Sequence, residues 1–298
     1  MLFLGEIAGL ATAFCWTATS LFFTAAGTRV GAYSVNLIRI TLAVPMLGLT
    51  LWLSHSGSGL EGVNQGFLLL ALSGVIGLAV GDGMLFQAMV MAGPRKTTLM
   101  MSLWPIITAL ISLIFLKERL SLAAWSGIIL TTGGIAWVVG ERNRGDVFKL
   151  EGSRWIVWFF LALGAAVCQS VGFVIAKAGM GATMDPLTAT LIRMISAGVV
   201  LWIYTAATPR RLEVVAALRQ PRAMWLTSGG AVVGPYLGVW LSLVALKYTK
   251  AGVAATLMAT IPIWMIPAVW WAYGERTGSR AWLGTVAAIA GIALLLMR

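Results

Sequence analysis

Charge is the scarcest property of this sequence. Lysine, arginine, aspartate and glutamate together make up 10% of its 298 residues, against roughly 25% in an ordinary soluble domain. Histidine occurs once, as His55 in a loop, and the apolar runs hold one aspartate, Asp82. An HExxH helix or a pair of intramembrane aspartates therefore has no residues to be made from, which argues against an enzyme. The two cysteines, Cys15 and Cys168, lie deep in apolar runs at a separation unlike any metal site, and they read as small hydrophobes. No Gly-rich loop ending in GK[ST] is present, so nothing points to ATP hydrolysis. No metal and no cofactor are expected. The net charge of +11 comes from basic residues scattered singly or in pairs, without an aromatic-interleaved basic face, so nucleic acid is not an expected partner.

What fills the space left by charge is apolar sequence, 59% of the chain. It falls into long runs at 3–26, 34–54, 65–91, 97–116 and 122–140, then 154–178, 186–207, 223–247, 251–273 and 279–297. A helix needs about 20 residues to cross the hydrocarbon layer. Backbone polar groups in lipid must be satisfied internally, and the alternation of a barrel strand is absent, so helices are the reading. The fold class is all-α integral membrane, with ten transmembrane helices. The opening MLFLGEIAGLATAFCW has no positive leader region and reads as a retained first helix.

The chain repeats itself. Leu37-Ile38-Arg39 returns as Leu191-Ile192-Arg193, and Cys15 matches Cys168 in depth. At a constant offset of 157, Pro105 meets Pro262, Glu118-Arg119 meets Glu275-Arg276, Trp125 meets Trp282, Gly127 meets Gly284 and Gly134 meets Gly291. The units are 1–145 and 152–298. Each holds an odd number of crossings, so the second is inverted relative to the first. Inverted repeats place a binding site near the bilayer midplane and support rocking between two access states, which implies transport of a small solute.

The segment ALKYTKAGVAATL at 245–257, with Pro262 and Gly274-Glu275-Arg276 after it, resembles the EamA module of the drug/metabolite transporter superfamily. Arg39 and Arg193 early in the second helix of each half, and the Trp-to-Gly spacing of the fifth and tenth helices, carry the same resemblance. It covers nearly the whole chain. It implies two inverted five-helix repeats, with a central cavity inside helices one to four and six to nine. It also implies a multi-pass protein of a bacterial inner membrane, working as a secondary active exporter of small metabolites such as amino acids. The alternative is efflux of drugs or cationic compounds; a channel or an intramembrane enzyme is the remoter reading.

Asp82, set among glycines in GLAVGDGMLFQ, is a candidate for proton coupling or amine binding, or else a structural partner for an arginine or hydroxyl. Its repeat equivalent is Val239. Arg39 and Arg193 read as structural residues that snorkel to the interface, the alternative being an anion site at the cavity edge. Pro105 and Pro262 are read as kinks that shape the cavity or its gates. Trp16, Trp104, Trp240 and Trp264, with Gln87, Gln169, Tyr236, Ser102 and Ser242, form a candidate aromatic and polar wall for substrate binding, or else they pack against neighbours or lipid. Glu118 and Glu275 read as structural caps. The small residues Gly127, Gly134, Gly284, Ala288 and Gly291 suit close helix packing within a monomer or across a homodimer.

Leaving out Arg39 and Arg193, the side of the membrane that holds the termini carries six lysines and arginines and the opposite side thirteen. The positive-inside bias then places both termini outside, whereas the resemblance implies termini in the cytoplasm. The charge count predicts that alkaline phosphatase fused after Arg298 is active in intact cells; an inactive fusion would side with the resemblance.

Overall fold

The computed structural model describes residues 3–54, 63–139, 153–261, 263–264 and 279–296. Pro262 and Glu275 lie outside them. The first half opens with α1 (Leu4–Val30) and α2 (Ala32–Leu53). The third crossing is composite: α3 (Val63–Gly74) runs into a π-helical turn (Val75–Gly81) and then into α4 (Asp82–Met101). Inside α4 the backbone breaks at Gly93 (φ 80°, ψ 160°), and this break turns the chain into the fourth crossing. That crossing continues as α5 (Trp104–Phe115), and α6 (Leu122–Val139) is the fifth.

The second half repeats this plan. It consists of α7 (Arg154–Met180), α8 (Pro186–Ala207), a short α9 (Arg210–Leu218), α10 (Pro221–Ala231), a π-helical turn (Val232–Gly238), α11 (Val239–Tyr248), α12 (Ala251–Met258) and α13 (Ser279–Leu296). The six longest apolar spans are the first three crossings of each half. The entry into α8 shows how the local sequence sets a boundary. Asp185 stands at its N-cap, accepting from the Leu187 and Thr188 amides at 2.9 and 3.2 Å, and Pro186 follows at the first helical position.

The two π-helical turns lie 157 residues apart, the same offset as the sequence repeat. In each, the residue after the turn donates its backbone N–H five residues back, Asp82 to Gly77 and Val239 to Gly234. Such a turn is wider than an α-helical one and is commonest at functional positions. The cysteines find their role here. Gly81, ending the first turn, packs on Cys168, and Gly238, ending the second, packs on Cys15. Each thiol thus sits where one half meets the other.

Two sequence expectations change. The stretch 208–222, read as a loop, contains α9, which buries Val214 and Ala217 while its charged side stays out. Arg210 there lies over the Tyr33 ring at 4.8 Å. Pro105 does not kink a continuous helix. The regular helical hydrogen bonding is interrupted at Ser102 and Leu103, where Leu103 bonds back to Met100 at 3.2 Å while keeping helical backbone angles, and Pro105 occupies the first turn of α5, where its missing N–H costs nothing.

The crossings α6 and α13 pack chiefly on each other. Their glycines are spent inside the chain: a Cβ on Gly291 would lie 2.3 Å from Thr131 Oγ1 and 2.6 Å from its amide nitrogen. Thr131 also donates to the Ala288 carbonyl at 3.3 Å. Gly291→Leu is therefore expected to lower unfolding stability by about 1–3 kcal/mol, the usual effect of overpacking. The outward-facing Val286→Leu on the same helix should leave it within about 0.5 kcal/mol. Thermal unfolding in detergent distinguishes the two outcomes.

Candidate functional site

The site is organised around a buried arginine on α2. Arg39 is 0% exposed. Its Nε and one terminal nitrogen donate to Asn36 Oδ1, one turn back on the same helix, at 2.9 and 2.8 Å. The same terminal nitrogen pairs with Asp82 Oδ2, and Asp82 is also 0% exposed. The rings of Phe23 and Phe86 flank the guanidinium, with centroids 5.6 and 4.8 Å away. Asn36 in turn donates to the Leu78 and Ala79 carbonyls of the first π-helical turn, both at 3.2 Å. From α7, Gln169 donates to the other Asp82 oxygen. Both carboxylate oxygens are thus taken, one by each of two different crossings.

This geometry overturns the snorkelling reading of Arg39 and Arg193. Both helices turn these residues inward, and around Arg39 aromatic faces and polar groups replace the headgroup region. Arg193, at the equivalent place on α8, is 3% exposed. Its repeat-related position for a carboxylate is filled by Val239, and its Nε has no hydrogen-bond partner.

Beside this network lies a cavity of about 100 Å³ at the junction of the halves. At roughly 10–15 Å³ per water, that is room for several water molecules. The walls come from α1, the first π-helical turn, α4, the start of α5, α7, α8, α11 and α12; no described residue of α6 or α13 lines it. Of the residues singled out from the sequence, Trp16, Ser102, Trp104, Gln169, Arg193 and Ser242 line it. Asp82 stands behind Gln169, out of the cavity wall.

Four candidates are not brought there. Gln87 is on the exposed side of α4. Trp264 is 37% exposed and packs edge-on to the outward-facing Phe14 at 5.7 Å. The Tyr236 hydroxyl is bonded to Thr50 at 2.7 Å, and Tyr236 and Trp240 pack into the apolar cluster between α2 and α8. Their depth in the membrane was right for a cavity, but their helix face was not. The sequence reading missed Thr19, Ser20, Phe86, Met89 and Phe173, all lining residues. Helical spacing holds a signal for some of them, since Thr19 and Ser20 lie three and four residues past Trp16, and Phe173 four past Gln169.

A repeat-symmetric contact anchors the fourth and ninth crossings. Ser170 Oγ donates to the Trp104 carbonyl at 3.0 Å, and Thr17 Oγ1 donates to the Ile261 carbonyl at 3.2 Å. Each acceptor immediately precedes a proline in sequence. At the end of the bundle where α1 begins, Glu118 pairs with Lys177 at 2.5 Å and accepts from the Ala251 amide at 2.9 Å. It thereby caps α12 and joins the fourth, sixth and ninth crossings. The lysines there are bonded to backbone carbonyls: Lys177 donates to that of Thr249 at 2.5 Å, Lys247 to that of Met184 at 2.9 Å and Lys250 to that of Arg119 at 2.6 Å. Glu6 lies in the same region and is 5% exposed, so Asp82 is not the only buried acid.

An all-helical membrane protein with two inverted halves, a cavity at their junction and a polar lock across one end is the architecture of a membrane transporter. The comparisons define it further. The model of the EamA-like transporter family matches residues 3–140 and 156–297, and the chain belongs to that family. It is a multi-pass integral membrane protein and a transporter, not an enzyme. A crystal structure of a protein 17% identical in sequence is similar with a TM-score of 0.76, covering 99% of this chain and 96% of that chain. That likeness concerns the fold alone. No match was found among curated proteins.

Removing one member of a buried ion pair costs about 3–5 kcal/mol, whereas replacing both by apolar groups is far milder. Arg39→Met alone is expected to fall in that range, and Arg39→Met combined with Asp82→Leu to recover a large part of the loss. Unfolding in mixed micelles measures the cycle; additive effects of the two substitutions would contradict a coupled pair.

Proposed function

We propose that this protein is a secondary active carrier that exports small metabolites, amino-acid-like solutes among them, by alternating access. The observation that carries this reading is the cavity at the junction of the halves, walled by both, with Leu78 of the first π-helical turn and Val239, the residue that follows the second, in its lining. A solute held there contacts elements that exchange roles when the halves exchange conformations. The aromatic faces of Trp16, Trp104 and Phe173, together with the Ser102 and Ser242 hydroxyls, suit a compact solute with an apolar body.

In this mechanism the Glu118–Lys177–Ala251 cluster closes one end of the pathway and must part when access switches. The breaks at Ser102–Leu103 and before Pro262 supply the bending points. Asp82 is the proton-coupling group. Protonation weakens its hold on Arg39 and Gln169, and Gln169 lines the solute cavity, so proton binding and solute binding share a side chain. A bacterial inner membrane supplies the proton gradient, and because the cavity is walled by one chain alone, a monomer is a sufficient unit.

Counterflow separates this carrier from a channel: liposomes preloaded with unlabelled solute should accumulate labelled solute transiently, and simple equilibration without overshoot would indicate a channel. A pH gradient should drive net accumulation by the wild type. With flux normalised to folded protein, Asp82→Asn should lose that drive while keeping counterflow. Unchanged pH-driven accumulation in Asp82→Asn would remove Asp82 from coupling.

A further inference from the structure

We propose that Arg193 anchors the carboxylate of the solute, so that the cavity selects organic anions with an apolar body over neutral or cationic analogues. This rests on the carrier reading and names the solute class at that same site.

The argument begins with formal charge. The buried network contains Arg39, Arg193 and Asp82, two cations against one anion. Asp82 is fully engaged, with Oδ2 on Arg39 and Oδ1 on Gln169. Among the described residues no carboxylate lies within ion-pair distance of Arg193, and its Nε has no hydrogen-bond partner. The repeat explains why. Position 82 of the first half corresponds to Val239 in the second, so Arg193 keeps its place on the helix without the acid that serves Arg39.

Asp82 reaches Arg193 only as a longer-range charge that it shares with Arg39, not as a contact partner, and a buried cation short of contacts that lines a cavity can be completed by a ligand. Arg193 lines this one. The guanidinium is a planar fork of donors that matches a carboxylate with two parallel hydrogen bonds. A second unsatisfied group faces the same space: Thr19 Oγ1 is buried, lines the cavity and has no partner. Most of the remaining wall is apolar or aromatic, including Trp16, Phe86 and Phe173, and Trp104 meets Phe173 edge-on at 5.5 Å. The solute so described has one anionic end at Arg193 and Thr19 and a flat or aliphatic body against those rings. A cationic amine finds the reverse, with Asp82 turned away behind Gln169 and Arg193 repelling it.

The test uses the purified full-length protein in detergent and three probes of one shape and different charge: phenylacetate, phenylacetamide and 2-phenylethylamine. Calorimetric titration should give phenylacetate a Kd at least tenfold below those of the other two. Arg193→Gln should erase that preference, and Arg193→Lys, which keeps the charge but loses the fork, should retain only part of it. Thr19→Val should weaken phenylacetate binding several-fold. Equal or tighter binding of the amide or the amine, binding of none of the three, or an unchanged preference in Arg193→Gln would overturn the proposal. If Arg193→Gln does not fold, the charge series on the wild type decides alone. Because binding needs no gradient or flux, acid-selective binding without counterflow would retain the anchor and refute the carrier. Counterflow that favours the neutral probe would do the opposite.

Discussion

The pairing of Arg39 with Asp82 is the interaction on which the centre of this protein depends. Two charges with no access to water need each other and further hydrogen bonds, because desolvation costs several kcal/mol per ion. The chain supplies them from three crossings to both carboxylate oxygens and to two of the three guanidinium nitrogens, leaving Arg39 Nη1 without a partner. Asn36 on α2 holds the arginine in place, Gln169 on α7 takes the second carboxylate oxygen, and Phe23 and Phe86 close over the guanidinium. Asn36 reaches on to the carbonyls of the first π-helical turn, so the same network supports the irregular backbone beside the cavity. Lipid would not tolerate such carbonyls, but a protein interior with a donor aimed at them does.

The two halves share a scaffold but not a chemistry. The π-helical turns, the glycine–cysteine contacts and the hydroxyl-to-carbonyl bonds of Ser170 and Thr17 all recur at equivalent places in the two halves, 157 residues apart for the turns and 153 for Cys15/Cys168 and Thr17/Ser170. The polar groups between them do not: Asp82 corresponds to Val239, and Gln169 to Trp16. Backbone devices repeat because they let helices bend and cross, a need that both halves have equally. Side chains at the junction face one shared cavity, where a duplicated charge network would put twice the desolvation cost into the same space. In the proposed carrier, pseudo-symmetry serves the exchange of conformations and asymmetry serves recognition.

Much of the architecture was legible in the sequence, and the reasons are specific. Apolar runs long enough to span a bilayer, Gly127 and Gly134 recurring as Gly284 and Gly291, and Glu118-Arg119 recurring as Glu275-Arg276 carry the signal of two related halves without any knowledge of packing. The first π-helical turn left no comparable signature, since VIGLAVG reads as ordinary apolar helix; in the second, VVGPYLG, Pro235 marks an irregularity in the helix without giving its form. The helix face of each residue was also hidden. In a helix apolar all round, periodicity does not separate the lipid side from the core side, so Gln87 and Trp264 were candidates on the same footing as Gln169 and Trp104.

The sequence by itself determined that this chain crosses the membrane many times, that its halves are related and inverted, and that one aspartate lies among apolar residues. Those properties follow from transfer free energy and from counting, which need no neighbours. Only the tertiary structure decided what that aspartate touches. Arg39 and Asp82 are 43 residues apart along the chain, and Gln169 belongs to the other half; nothing local links the three. The same holds for Arg193, whose sequence equivalence to Arg39 suggested a shared environment. Burial made both arginines expensive, and the neighbour contributed by a different helix decided which of them is neutralised within the chain.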